Sequence, residues 1–341
     1  MKVICLFFTA IPTFYTIWRI YTLEAIPIRY VLPTPYPVGD VNVYFIRDSC
    51  FPTLIDTGIG SLGLKKLKAE LGKVKHELED IKRCILSHGH HDHMGLIEHF
   101  SSSAEVYIHP ADLPTIQQLT IDELDESITV LKQFLISAGL TTDYISTLEA
   151  ILKDLYSKRN INVPNAKTVT EGFVFTFDDF NLRVIETPGH TPGCISFWDD
   201  KNKVLFSGDH ILPSITPNPL IQILKPIPNY KSLLAYRSSL QKIESLNPKI
   251  IYPGHGDPIT QPKKVIQKIL DHHETRKDIL LSWLKQKEHT MLELSQKLFG
   301  ELTGFGIILG LSEIKGHLEY LEALNLVLTS NDVPVRYSAK Y

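Results

Sequence analysis

The chain is short of cysteine, of net charge and of long apolar runs, and each shortage excludes something. Four cysteines, Cys5, Cys50, Cys84 and Cys194, stand far apart with no CxxC pair. That spacing offers neither a disulfide framework nor a thiolate zinc site, and it fits a reducing, cytoplasmic compartment. Lysine and arginine number 35 against 38 acidic residues, a formal charge of -3, so the whole chain presents no electrostatic footprint for nucleic acid or anionic lipid. The apolar stretch from Val3 to Trp18 follows the single cation Lys2, is interrupted by Thr9, Pro12, Thr13 and Thr16, and is shorter than the roughly 20 residues a membrane span needs. No small-x-small cleavage site follows it. Residues 1–25 form a hydrophobic N-terminal extension with three open readings: an anchor that would associate residues 3–18 with a membrane, an export signal, or an extension without function.

What is there suits a globular chain of 341 residues, 43% hydrophobic and 21% charged, with one large core or a core plus a small second domain. From Ile26 onward short apolar strands are predicted at 28–32, 41–46 and 53–55, separated by turn segments rich in proline and glycine. A helix at 62–71, strands at 83–86 and 106–108, and a second series of strands at 173–177, 182–185, 195–198, 204–206 and 250–252 argue for an α/β layered core.

The chemistry lies where those strands run out. One loop reads Ser87-His88-Gly89-His90-His91-Asp92-His93-Met94-Gly95. Alternation along an extended backbone aims His88 and His90 one way and His91 the other. Asp92 and His93 follow as the chain turns into a helical stretch at 94–100, which brings two more ligands to the same spot. Zinc accepts imidazole nitrogen and carboxylate oxygen, and a catalytic site leaves a position open for water. Further on stand Thr187-Pro188-Gly189-His190-Thr191-Pro192-Gly193, Ser207-Gly208-Asp209-His210 and Pro253-Gly254-His255-Gly256. Together these signatures point to a two-metal hydrolytic site.

With Leu54-Ile55-Asp56-Thr57-Gly58, this ordered series resembles the metallo-beta-lactamase superfamily, nearest its glyoxalase II-like hydrolases. The resemblance covers residues 26–262 and implies a four-layered αββα sandwich. It implies that His88, His90 and His190 bind a first metal, that Asp92, His93 and His255 bind a second, and that Asp209 bridges them. Asp56 would hold a ligand in orientation, as such partners do. Two ions ~3.5–4 Å apart would activate a shared water as nucleophile and polarise the scissile group. Asp92 is the choice for orienting that water and moving its proton. Zn2+ is the expected metal, two per chain, and the same ligand set also accepts Mn2+ or Fe2+.

Other histidines weigh less. His91, His99 and His109 suit surface or packing roles, and His272 and His273 suit a contact between domains. His210, directly after Asp209, is expected to touch substrate or to support a ligand. Tyr36 and Asn218 are expected to line the substrate pocket.

Two segments exceed the minimal fold. An insertion at 111–160 carries apolar residues at helical spacing, from Ile116 and Leu119 to Leu152 and Leu155, predicting two or three amphipathic helices that cap the active-site side, with a homodimer interface as the rival role. Residues 263–341 predict helices at 263–287, 290–299 and 311–324, then strands at 327–329 and 335–337, and resemble the winged-helix appendage of some superfamily members. Residues 288–341 hold four basic against seven acidic side chains, and the last helix carries Glu313, Glu319 and Glu322 against Lys315. Such a helix suits phosphate contact badly. The leading expectation is a dinuclear zinc hydrolase acting on a small ester, thioester or lactone-like molecule. The alternatives are a single-strand endoribonuclease and a mononuclear iron persulfide dioxygenase.

Overall fold

The computed structural model describes residues 27–100, 102–157 and 161–340, so the N-terminal extension and its open readings lie outside the described residues. Two sheets form the centre. The first takes strands β1 (Ile28–Leu32), β2 (Val41–Ile46), β3 (Thr53–Ile55), β4 (Arg83–Ile85), β5 (Glu105–Ile108) and β6 (Lys167–Thr168) in that spatial order. Pairing is antiparallel through the opening meander and parallel from β3 onward. The second sheet orders β11 (Ile250–Pro253), β10 (Val204–Gly208), β9 (Ile195–Asp199), β8 (Asn181–Glu186) and β7 (Val174–Thr176).

Period-two alternation divides each strand between two cores. Tyr44, Ile46, Ile55 and Ile85 face Leu182, Val184, Phe197 and Phe206 in a layer between the sheets. Their neighbours Val43, Phe45, Leu54 and Cys84 face outward onto helix α1 (Gly60–Lys73), which packs Leu67 and Leu71 against them. On the far side, Ile185, Trp198 and Leu205 meet Leu233, Tyr236, Leu240 and Ile243 of a helix at Ser232–Leu246, with Ile266 and Ile269 beyond. The layers run helix, sheet, sheet, helix, as expected.

Most strand boundaries match the sequence pattern to within a residue or two. Residues 94–100 do not. The helical turn there is α2 (His91–Met94), and a separate 3-10 turn occupies Ile97–His99. Gly95 divides them at a crowded point, where a Cβ would meet the His91 carbonyl at 2.5 Å.

The insertion forms α3 (Ile121–Ala138) and α4 (Thr142–Ser157), and a Thr120–Glu123 capping box starts the first of these. The helix at Ser232–Leu246, α5, has no counterpart in the sequence prediction. Three further helices follow, α6 (Pro262–Leu284), α7 (Met291–Phe299) and α8 (Phe305–Ala323), and then a hairpin of β12 (Val327–Thr329) and β13 (Tyr337–Ala339). The last strand begins two residues later than predicted. Ser330 Oγ accepts hydrogen bonds from the Asp332 and Arg336 amides, which keeps that stretch in the turn.

The insertion enters a core shared with the C-terminal helices. Leu131, Leu135, Ile145 and Leu148 pack with Leu280, Leu284, Leu294, Leu311 and Leu318 in one cluster, so insertion and C-terminal helices are buried together. Among the described residues no helix is long and apolar enough to cross a membrane, and Cys50, Cys84 and Cys194 are free thiols.

Candidate metal centre

Beyond β4 the chain is pinned at each step. Asp56, at a left-handed φ of 60°, accepts from the Ser87 amide and the Ser87 hydroxyl, both at 2.8 Å. The Gly89 amide donates to Asp112 at 2.9 Å. His88 and His90 therefore project from irregular backbone beyond the strand, not from a continued pleat. Across the cleft, the Thr57 amide donates to the His93 carbonyl at 2.7 Å, tying α2 to the Asp56-Thr57-Gly58 turn.

The seven side chains predicted as ligands converge. His88 Nε2 lies 2.9 Å from His90 Nδ1, and His190 Nε2 lies 2.9 Å from that same atom. His93 Nε2 and His255 Nε2 approach to 3.3 Å. His255 Nε2 also lies 3.3 Å from Asp92 and 3.5 Å from Asp209, and His93 Nε2 is 3.4 Å from Asp209. Three groups of compatible ligand atoms result: His88 with His90 and His190, His88 with His93 and Asp209, and Asp92 with His93 and His255.

The outward-facing nitrogens decide what the inward ones can do. His190 Nδ1 bonds the Asn218 carbonyl at 3.0 Å and His255 Nδ1 the Asp40 carbonyl at 2.9 Å; a carbonyl only accepts, so each Nδ1 carries the proton. His93 Nδ1 donates to the Asp56 carboxylate at 2.8 Å. Ser87 Oγ already donates to Asp56, so it accepts from His88 Nδ1 at 3.0 Å. The Nε2 atoms of His88, His93, His190 and His255 therefore all face inward, where a neutral ring presents a lone pair. Ligand atoms around a tetrahedral ion with bonds of ~2.0–2.1 Å stand ~3.3 Å apart, close to what these rings adopt. Asp209 Oδ1 is buried without a hydrogen-bond partner, and a Cβ on Gly254 would fall 2.2 Å from it. The donor set, the tautomers and this orphaned oxygen fit a divalent cation.

Titration follows from the same crowding. Burial, reinforced by His93 and His90, drives the His88 pKa well below the ordinary imidazole value. Burial and then His190 push His90 down to about 3. Burial also opposes a charged His93, but Asp209, Asp56 and Asp92 outweigh it and hold its pKa well above normal. Burial raises Asp92 as well, yet His93 and a hydrogen bond from His255 bring it to about 2. The carboxylate charge that favours an imidazolium equally favours a divalent cation.

Other predicted residues divide. Tyr36 stands at the mouth of the site, its hydroxyl 3.5 Å from His91 Nδ1. Asn218 acts on His190 through its backbone, while its side-chain amide donates to the Leu309 carbonyl. His210 supports no ligand through its ring: it is fully buried, both ring nitrogens lack hydrogen-bond partners, and the ring packs edge-on against Tyr236. His91 and His99 are exposed, and His109 meets Glu186 at 3.2 Å. His273 packs between Tyr236 and His317, and His272 lies 3.8 Å from Glu313, both at the contact with α8.

The sequence reading missed Asp112. Its buried carboxylate accepts from the Gly89 amide, the Thr191 hydroxyl at 2.6 Å and the Gly193 amide at 2.9 Å. It thereby joins the His88–His90 loop to the His190 loop. A Cβ on Gly193 would strike it at 2.6 Å, which accounts for the glycine.

A cavity of about 990 Å³, between Glu244–Pro248 and the start of α6, is remote from these groups. Two smaller ones, of about 650 and 170 Å³, open on His90.

Comparison with known proteins agrees with this geometry. Residues 36–255 match the family described as the Metallo-beta-lactamase superfamily. The chain is 31% identical over 307 residues to the "Probable metallo-hydrolase YqjP" of Bacillus subtilis, covering 89% of this chain and 93% of that protein. A shorter stretch, 41% of this chain and 44% of the relative, is 28% identical to the "Atrochrysone carboxyl ACP thioesterase" of Aspergillus fumigatus. Among solved structures, a metallo-beta-lactamase family protein of Thermus thermophilus superposes with a TM-score of 0.78 at 25% identity, over 92% of this chain and 98% of its own.

Proposed function

This chain belongs to the metallo-beta-lactamase superfamily, and from that premise we propose that it is a dinuclear zinc hydrolase of small esters, thioesters or lactone-like compounds. The observation that carries the reading is the convergence of the His88, His90 and His190 ring nitrogens, 2.9 Å apart at His90 Nδ1, beside an Asp209 oxygen without a hydrogen-bond partner. His88, His90 and His190 would hold one ion, Asp92, His93 and His255 the other, and Asp209 would touch both. When bound, such a pair polarises the scissile carbonyl and lowers the pKa of water to near neutrality.

The protein's own groups do the rest. Asp92, held ionised, accepts a hydrogen bond from the attacking water and keeps its lone pair aimed at the carbonyl. Asp56 fixes the ring plane of His93, the Asn218 carbonyl that of His190, and the Asp40 carbonyl that of His255. Tyr36 has its pKa raised by burial and by Asp92, so its phenol stays protonated and donates to the substrate. The water oxygen joins the acyl carbon as one of its protons passes to solvent, the carbon–oxygen or carbon–sulfur bond breaks, and the other proton ends on the departing alcohol or thiol, leaving a carboxylate. A thioester substrate draws support from the thioesterase relative. The winged-helix-like unit at 263–341 serves as a wall for the insertion, with which it shares a core. Zinc content of the purified protein, measured beside hydrolysis of a panel of thioesters, esters, lactones, phosphodiesters and RNA, tests the reading. Cleavage of RNA alone would overturn it.

A further inference from the structure

The two cavities that open on His90 share Gly89, His90, Thr115, Ile223 and Leu224 in their walls, so they are two arms of one cleft. The insertion builds the larger arm. α3 packs Leu131 and Leu135 into the core shared with the C-terminal helices, and its preceding turns present Leu124 and Ile128 to the cleft. α4 does the same in reverse order, with Ile145 and Leu148 in the core and Leu152 and Tyr156 on the cleft wall. Each helix is anchored at one end and lines the arm with the other.

The larger arm sets Met94, Leu124, Ile128, Leu152, Ile161, Ile223 and Leu224 beside polar groups that cluster nearer His90 and Tyr36 in sequence, such as His91 and Glu98. No lysine or arginine lines either arm among the described residues, and the larger arm has a single carboxylate, Glu98. An anionic group placed there would lose hydration without gaining a lysine or arginine partner, a cost that grows with burial. An aliphatic chain would instead trade water for Leu124, Ile128 and Leu152.

We propose that the substrate carries an uncharged, medium-length aliphatic acyl chain, which lies along the aliphatic wall of the 650 Å³ arm while its carbonyl lies over His90. This inference rests on the hydrolase reading given above and adds the chemical class of the acyl group. Specificity is set by the insertion, chiefly by Leu152 and Ile128. A neutral linear chain follows the wall from His90 toward α4, whereas an ω-carboxylate would end against leucine.

The test uses the zinc-loaded full chain and N-acetylcysteamine thioesters from acetyl to decanoyl. kcat/KM should rise about two- to fourfold per methylene up to octanoyl, and the ω-carboxylated octanoyl analogue should be worse by about 100-fold. Leu152→Glu should lower the octanoyl-to-acetyl ratio at least tenfold, and Leu152→Ala should lower it less, which separates a changed wall from a misfolded one. Binding of octanamide, which is not turned over, is read by calorimetry alongside. A flat chain-length series, or equal turnover of the ω-carboxylate, would overturn the inference while leaving the hydrolase reading intact. Octanamide binding with no thioester cleaved would support the apolar arm and overturn the hydrolase reading. Failure of both would overturn the inference as well.

Discussion

The Asp112 carboxylate accepts the Thr191 hydroxyl at 2.6 Å, and through that bond two loops that supply histidines to one centre are held in register. The same carboxylate takes the Gly89 and Gly193 amides, so its three donors come from both loops. Replacing it by alanine strands them in a buried site. Asp112→Ala should destabilise the protein by about 2–4 kcal/mol. It should also weaken zinc binding about 10- to 100-fold, as loss of a group that orients ligands does. Denaturant unfolding of the metal-free chain and zinc competition with a chelator read the two effects separately. Unchanged zinc affinity would mean that the loops keep their register without the carboxylate.

Asp56 makes a different prediction, because it bonds one ligand ring, His93, directly and reaches His88 only through Ser87. It orients His93 through Nδ1 and steadies Ser87, which in turn holds His88. Asp56→Asn keeps an acceptor but loses the charge. The second of two bound zinc ions should then dissociate more readily, with affinity lower by about tenfold, while the first is held nearly as before. Stepwise removal by a chelator, followed by metal analysis, checks this; equal loss of both ions would count against a role centred on His93.

Stability should fall in mild acid, and His273 identifies part of the cause. The ring is 1% exposed and neither nitrogen has a hydrogen-bond partner. Burial foremost, with His317, Arg237 and His272 adding and Glu313 opposing, lowers its pKa to about 3. In the unfolded chain the ring protonates near pH 6.5, so the unfolded state takes up the proton first. The stabilisation is whole above that pH and is lost as pH falls from 6.5 toward 3, amounting to about 2 kcal/mol by pH 5 for this ring. Urea midpoints at pH 7.5 and 5 should therefore drop less for His273→Phe than for the parent. An identical drop would place the acid sensitivity elsewhere.

Much of this was legible in the primary structure because its signals are local. The ligand motifs occur at strand ends in the expected order, and the strands show apolar runs bounded by turn residues. The helix at 232–246 was not read, although Leu233, Tyr236, Leu240 and Ile243 carry a helical period; serines and basic residues between them dilute it. Asp112 was illegible for a deeper reason. Its partners at Gly89 and Gly193 lie 23 and 81 positions away, and backbone donors leave no trace in residue identity. His210 shows the converse, since adjacency to Asp209 suggested support for a ligand, and the fold turns its ring onto Tyr236 instead.

Loss of the Asp209 carboxylate, which the proposed reading places at both ions, should be severe. Asp209→Ala should lower thioester turnover by about 10³-fold or more while retaining the fold, because its contacts converge on His93 and His255 without carrying the core. Circular dichroism and kcat/KM, compared at equal zinc, decide this. Turnover within tenfold of the parent would remove Asp209 from the centre.

The central claim is that the converged imidazoles and carboxylates hold a catalytic pair of divalent ions. Its most direct test is a titration of the metal-stripped, full-length protein with zinc, following hydrolysis of an acyl thioester and bound metal together. The account predicts no turnover at zero metal, full recovery, and saturation at about two ions per chain. Full turnover by the stripped protein, or a chain that binds no zinc at these residues, would contradict it.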